Sequence, residues 1–398
     1  MTVIKDKNVK KNAWYFVIEV GDGKNRKRIK RRGFRIRQDA LDAERELLNE
    51  LKKGLDLNAS KTLYRDFMQD YLRDKKAKIK QQTLDTYTFL VNKHILPTLG
   101  DLQLGEIKPR HIQNLYNDIL ESGRLSGENL QKVHTLINES LKKAAGWDMI
   151  IKNPAAVVDR PKATPKEMMY WTDEESHLFL EAARGDNLFC AFLLAITTGM
   201  RQGEILGLRY QDIDFKNRTI SVRQVLNHNG KSIEPGAKTA SGVRAIGIDK
   251  VTSIELEKLS HRVKEEKMKN RDIYQDNGLL ICTSLGTPLS PRNLNRSFYR
   301  IIEKVNVGLE QRRAIGEQIE PLKKIRFHDL RHTHVVMLLK MRENSKRIAE
   351  RMGWSSIKML DRYSHITPHM QQETADAFGE MFFSAPDGTK NIKNNALV

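Results

Sequence analysis

Phe327-His328-Asp329-Leu330-Arg331-His332-Thr333-His334 is the densest run of ionisable side chains in the sequence. At helical spacing His328, Arg331 and His332 share one face, while Leu330, Met337, Leu338 and Met341 cover much of the opposite side. The stretch therefore reads as a helix that presents polar chemistry from an apolar footing. His328 and His332 also stand four residues apart, the spacing of paired zinc ligands. Against a metal, Asp329 occupies the place of the zinc-protease glutamate, and Arg331 would set a cation beside the ion. The plainer alternative is a pair of histidines satisfied at a helix end.

Working outward, Thr198-Gly199-Met200-Arg201-Gln202-Gly203-Glu204-Ile205-Leu206-Gly207-Leu208 places Arg201 just after a glycine break at the start of a helix, where backbone N–H groups also favour an anion. Its bland reading is a surface arginine pairing with Glu204. Lys238 lies in the turn-rich Gly236-Ala237-Lys238-Thr239-Ala240-Ser241-Gly242-Val243-Arg244, before a short strand. Met352-Gly353-Trp354-Ser355-Ser356-Ile357 opens another short helix, with Ile357 and Leu360 inward and Tyr363 near its end before Pro368. A tyrosine at that spacing is ordinarily half-core packing.

These segments belong to a third domain that starts near Met169. It alternates helices (about 173–184 and 187–197) with short strands at 219–225 and 244–248, then runs mainly helical to Phe383. The polar end, 384–398, is expected to be disordered. Asn153-Pro154, Pro161 and Pro165 mark a linker upstream, because proline disfavours helix at and before its own position. From Leu63 to Ala145 the pattern is helical, with breaks at Pro97, Gly100, near Pro109 and at Ser122-Gly123 and Ser126-Gly127, giving four or five short helices.

Near the N-terminus Trp14, Phe16, Ile18 and Val20 alternate with other residues at the period of a half-buried strand, and Gly21-Asp22-Gly23 supplies a turn. Nine basic residues and no acid follow between Lys24 and Arg37, with Phe34 and Ile36 alternating against Arg35 and Arg37. This predicts a basic β-ribbon whose Arg26, Arg28, Lys30, Arg35 and Arg37 contact DNA; a solvated face or a targeting signal is the plainer alternative. Ala40, Ala43, Leu47 and Leu51 then fall at helical spacing, with Asp39 as N-cap and Gly54 as stop. The fold class is α+β and mainly helical, in three domains. A small sheet with one helix spans 1–56, a helical bundle 60–162, and a mostly helical domain with a small sheet 169–383.

Sixty-nine Lys and Arg against 50 Asp and Glu leave a net charge of +19 in 398 residues, which calls for a polyanionic partner. The longest apolar run, Leu188 to Ile196, is short of a membrane span, so no membrane role is expected. Cys190 and Cys282 are too few for a disulfide framework or a cysteine zinc site, which suits the cytoplasm. Chemistry without cofactor or metal is the expectation.

Taken together, the segments resemble the tyrosine recombinases, the family of phage and conjugative-transposon integrases. Its first box is similar to Thr198–Leu208 with Arg201, its second to His328-Asp329-Leu330-Arg331-His332, and its third to Met352-Gly353-Trp354-Ser355-Ser356 followed by Tyr363. The resemblance also picks out Lys238, although Gly242 before Val243 shifts the following arginine by one, and Trp354 stands where most members carry histidine. The stretch from Thr83 to Pro154 looks like the family's core-binding domain, and residues 1–54 like an arm-binding domain of conjugative-transposon integrases, which implies a three-stranded sheet with a C-terminal helix.

The resemblance implies a site-specific recombinase that integrates or excises a mobile element through a 3′-phosphotyrosyl link. Tyr363 would be the nucleophile, assisted by His328. Arg201 and Arg331 would neutralise the transition state, Lys238 would act as general acid, and Trp354 would hydrogen-bond the phosphate. Implied partners are double-stranded DNA at core and arm sites, three further copies in a homo-tetramer on DNA, and accessory directionality and DNA-bending proteins; the implied place is the nucleoid. Rival readings are a type IB topoisomerase, a metal-dependent nuclease, and a non-catalytic regulator in which residues 347–363 form a helix-turn-helix bending at Gly353.

Overall fold

In the computed structural model, the described residues are 3–7, 9, 11–20, 27–52, 59–163, 167–235, 244–366, 374–379 and 381. The expected tail 384–398, Lys238 and Arg26 lie outside them. The chain divides into two compact units, 1–166 and 167–398.

The first unit opens with an antiparallel sheet of β1 (Val3–Lys5), β2 (Trp14–Val20) and β3 (Lys27–Phe34), in that order. Helix α1 (Arg37–Lys52) covers one face, where Leu47 packs with Phe16 and Ile18, and the Phe16 and Phe34 rings stack at 5.7 Å. The partnered residues show which basic side chains share the uncovered face. Arg28, Lys30 and Arg32 pair across from Glu19, Val17 and Tyr15, and residues directly opposite project to the same side. Lys30 Nζ lies 4.1 Å from the Tyr15 ring centroid. Arg32, passed over in the sequence, therefore belongs with Arg28 and Lys30.

Arg35 and Arg37 do not belong to the ribbon. Gly33 takes φ +96°, a backbone state that favours glycine, and β3 ends one residue later. Arg35 falls in a bend, and Arg37 opens α1, which puts Asp39 in the helix's first turn instead of at its cap.

The rest of this unit is helical: α2 (Tyr64–Lys76), α3 (Gln81–Leu90), α4 (Leu96–Leu99), α5 (Pro109–Glu121) and α6 (Gly127–Gly146). Their apolar faces close over Phe67, Met68, Leu115, Leu130, Ile137 and Leu141, and Tyr64 shares a buried 2.8 Å hydrogen bond with Ser140. Pro97 does not break the chain's course as the sequence suggests. A π-helical turn at Val91–Ile95 resets the hydrogen-bond ladder, so Pro97 falls in the first turn of α4, where its missing N–H costs nothing.

Near the start of the second unit stands Trp171, whose buried ring packs on Phe179 and Phe298 and whose indole N–H donates to the Lys323 carbonyl over 2.8 Å. Thr172 and Glu175 form a reciprocal cap for α7 (Asp173–Ala183), and the apolar α8 (Phe189–Thr198) lies in the core. The short α9 (Gln202–Leu206) leads to a three-stranded sheet of β4 (Ile213–Asp214), β5 (Thr219–Val222) and β8 (Arg244–Gly247). The strand expected over 219–225 divides at Arg223, because β6 (Gln224–Leu226) leaves that sheet to pair with β7 (Ile233–Pro235).

Helices α10 (Lys250–Lys269), α11 (Pro291–Ala314), α12 (Asp329–Lys340) and α13 (Ser345–Met352) follow, and then a 3₁₀ helix at Ile357–Ile366. Two inward residues turn out otherwise: Met341 lies past the end of α12 and Ile357 at the start of the 3₁₀ turn, and both are exposed. Within residues 374–381, Phe378 and Met381 are also exposed. Among the described residues no helix is long and apolar enough to cross a membrane.

Candidate active site

The site gathers where α8 and α13 end. Each helix leaves carbonyls without intrahelical partners and presents the negative end of its dipole there. Both terminate in a left-handed glycine: Gly199 at φ +64° and Gly353 at φ +63°. A side chain at position 199 would run into His334 and Met352 at under 3 Å, so glycine is required for space as well as for conformation.

Arg331 exploits both ends. Its guanidinium donates one hydrogen bond of 2.6 Å to the Gly199 carbonyl and another to the Met352 carbonyl. The side chain is buried, and no carboxylate among the described residues pairs with it directly. Burial, with Arg201 nearby, pulls its pKa down to about 9. It remains a cation at neutral pH, held by dipoles rather than by a counter-ion. Such a cation is ready for an anionic ligand.

Two side chains unforeseen in the sequence satisfy the remaining end of α8. His334 Nδ1 donates to the Ile196 carbonyl over 2.8 Å, and Arg351 donates to the Thr197 carbonyl over 2.9 Å. Arg351 Nε also donates to His334 Nε2 over 3.0 Å, which fixes that imidazole as a neutral acceptor. Burial and the Arg351 charge hold the His334 pKa down to about 3. Arg351 further reaches the Gly247 carbonyl over 3.0 Å, tying β8 to the same frame.

Glu204 organises the other arginines. It is buried in the first turn of α9 and accepts from Arg201 over 2.8 Å and from Arg244 over 2.9 and 3.1 Å. Burial alone would raise its pKa, but the hydrogen bonds and charge of Arg244, joined by Arg201, outweigh it and hold the carboxyl down to about 2. The surface pairing of Arg201 with Glu204 and the presentation of Arg201 to an anion are both present: 44% of the Arg201 side chain stays accessible.

Tyr363 arrives on the 3₁₀ turn and is 2% exposed, packed among Val335, Val336, Ile348 and Met352. Its hydroxyl is 2.7 Å from His332 Nδ1. The partner of the phenol is thus His332, where the sequence pointed to His328. His328 sits at the N-terminus of α12, exposed, with its ring edge-to-face to His332 at 5.5 Å. Burial raises the Tyr363 pKa to about 12, with Arg331 and Arg362 pulling against it. Burial, and next His328, lower the His332 pKa to about 4. Trp354 packs beside both groups, 5.9 Å from the Arg331 guanidinium and 6.2 Å from the Tyr363 ring. Arg201, Arg331, His328, Trp354 and Tyr363 thus lie in one unit, whereas Lys238 lies outside the described residues. Among the described residues no three His, Cys, Asp or Glu side chains converge as metal ligands.

The family model for the phage integrase family matches residues 172–370. The chain belongs to the phage integrase family. A SAM-like N-terminal domain of phage integrases matches residues 63–120 and an arm DNA-binding domain residues 3–51. A tyrosine recombinase XerC-like protein of Caldanaerobacter subterraneus subsp. tengcongensis is 26% identical over 404 aligned positions, spanning 95% of this chain and 99% of the relative. The ICEBs1 integrase of Bacillus subtilis is 26% identical over 352 positions, 87% of this chain and 90% of its own.

Among solved structures, the Tn1549 transposon integrase in complex with circular intermediate DNA shares the fold at TM-score 0.65 and 22% identity, covering 79% of this chain and 99% of that one. A lambda integrase tetramer bound to a Holliday junction shares it at TM-score 0.54 and 20% identity, covering 89% and 96%. This member of the integrase family is a tyrosine recombinase, an enzyme of site-specific DNA recombination. The helix-turn-helix regulator is not favoured, and residues 347–363 give the physical reason: past Gly353 the chain forms a 3₁₀ turn that buries Tyr363 instead of presenting a recognition helix.

Proposed function

We propose that the protein cuts and rejoins double-stranded DNA at an attachment site through a 3′-phosphotyrosyl link at Tyr363, integrating or excising a mobile element. The observation that carries the reading is Arg331, a buried guanidinium held by two carbonyls with Tyr363 and Arg201 beside it. Keeping the phosphodiester energy in a protein–DNA bond removes the need for a high-energy cofactor. Arg331 and Arg201 would meet the non-bridging oxygens, Trp354 would border the phosphate and His328 would line its approach. Lys238 would protonate the leaving 5′ oxygen. Residues 1–56 would serve as the arm-binding domain, 60–162 as the core-binding domain and 169–383 as the catalytic domain. Four copies on DNA, helped by directionality and bending proteins at the nucleoid, would complete the reaction.

The test uses nicked duplexes built from the two junctions of the genomic segment that carries the coding sequence. In EDTA the protein should form an adduct that survives denaturant, and a requirement for added metal would defeat the reading. Arg331→Ala should raise the cleavage barrier by about 2–4 kcal/mol, as loss of a charge-stabilising donor does, with far less effect on duplex affinity. An equal loss of binding and cleavage would assign Arg331 to the framework alone.

The uncovered ribbon face motivates a second prediction. Replacing Arg28, Lys30 and Arg32 together by alanine should lower affinity for junction DNA and flatten its salt dependence by about 2.7 in the log–log slope, at roughly 0.9 per phosphate contact. Anisotropy titrations over a salt series measure it. An unchanged slope would remove these side chains from the interface.

A further inference from the structure

The hydrogen bond between His332 and Tyr363 bears on where the phenolic proton goes, a step for which the resemblance offers His328. We propose that His332 is a catalytic residue, the direct acceptor of the Tyr363 proton during attack on the phosphodiester. This rests on the reading of Tyr363 as nucleophile.

Geometry is the first argument. His332 Nδ1 lies 2.7 Å from the Tyr363 hydroxyl, within direct transfer distance. A phenol buried in an apolar cluster, with one polar partner among the described residues, donates to it, because an undonated hydroxyl hydrogen is costlier to bury than a spare lone pair. Nδ1 is then the acceptor and Nε2 carries the ring proton. His328 is turned edge-on to His332 and makes no hydrogen bond to the hydroxyl.

Charge is the second argument. The groups facing His332 are His328, Asp329, Arg326 and Arg331 on its own side, and Tyr363 across from it. The burial and neighbouring cations that depress the imidazole keep the resting pair neutral, since moving the proton from phenol to imidazole is far uphill there. A scissile phosphate arriving on Arg331 and Arg201 brings negative charge to the same place. It offsets the cations that oppose a protonated His332, so base strength rises when substrate is in position. The nucleophile is thereby silent in the free protein and active in the loaded site.

The step balances. The bond from Tyr363 Oη to phosphorus forms as the bond from phosphorus to O5′ breaks, and the phenolic proton passes to His332 Nδ1. The electron pair leaving with O5′ takes a proton from a separate general acid, assigned above to Lys238. In rejoining, the 5′ hydroxyl attacks and the imidazolium returns its proton to the departing phenolate.

The experiment compares full-length wild type, His332→Asn, His332→Phe and Tyr363→Phe in single-turnover cleavage of the nicked junction duplexes, from pH 4.5 to 8.5. Asparagine offers an acceptor oxygen near the place of Nδ1 and cannot take the proton, so it separates catalysis from positioning. His332→Asn should bind DNA as wild type does and melt within a few degrees of it, yet cleave on the order of 10²–10³-fold more slowly. Wild type should lose rate as the pH falls and Nδ1 protonates, and His332→Asn should lose that acid limb. A duplex with sulfur in place of the scissile O5′ needs no general acid, so it should leave the His332→Asn defect intact.

A wild-type rate in His332→Asn, an unchanged acid limb, or rescue by the sulfur duplex would overturn the proposal while Tyr363 stood as nucleophile. If His332→Phe misfolds, the asparagine comparison still decides. An adduct that persists in Tyr363→Phe would instead sink the reading beneath it.

Discussion

Tyr363→Phe is expected to abolish the denaturant-resistant DNA adduct and to leave duplex binding in place. The substitution removes one oxygen from a side chain that otherwise packs with Val335, Ile348 and Met352, so the cluster keeps its shape. It also breaks the hydrogen bond to His332, whose ring is only partly buried and can turn toward water, so stability should change little. A gel of the protein with labelled nicked duplex reads the outcome directly. Residual adduct at the wild-type level would assign the nucleophile elsewhere.

Glu204→Ala should bring the largest loss of stability of any single change at the site. It removes the buried carboxylate that accepts two hydrogen bonds from the buried Arg244 guanidinium, and breaking such a buried pair costs about 3–5 kcal/mol. The Arg201 contact adds little to that figure because much of the arginine is in water. In a unit of this size the loss corresponds to a melting temperature lower by on the order of 10 °C.

The pH dependence has a definite sign. The Glu204 carboxyl titrates near 2 in the folded protein against 4.5 normally. Its contribution is complete above pH 4.5 and is lost as the pH falls toward 2. The gap in stability between wild type and Glu204→Gln should therefore narrow with acidification below pH 4.5. A gap that stays constant across that range would mean Glu204 is not held as an anion.

Some of this was legible in the sequence. The spacing of Leu330 against His328 and Arg331 reports α12 because a helix buries one stripe, and the glycines at 199 and 353 report helix ends because a left-handed backbone favours that residue. The arm sheet follows from alternation at Phe16 and Ile18. What escaped is nonlocal. His334 and Arg351 cap carbonyls 138 and 154 residues away in sequence, so no local pattern encodes them. The choice of His332 over His328 as phenol partner depends on where a 3₁₀ turn lays Tyr363 against α12, a matter of packing. Arg35 and Arg37 read as strand because alternation continues past Gly33, although the strand does not.

The two carbonyls that hold Arg331 belong to residues 199 and 352, and Tyr363 follows eleven residues after the second. The cleft is therefore completed only by residues that lie more than 150 positions after Gly199 in the chain. A chain that stops short of α13 holds Arg331 by the Gly199 carbonyl alone and lacks Tyr363, so the site exists only once both helix ends are in place.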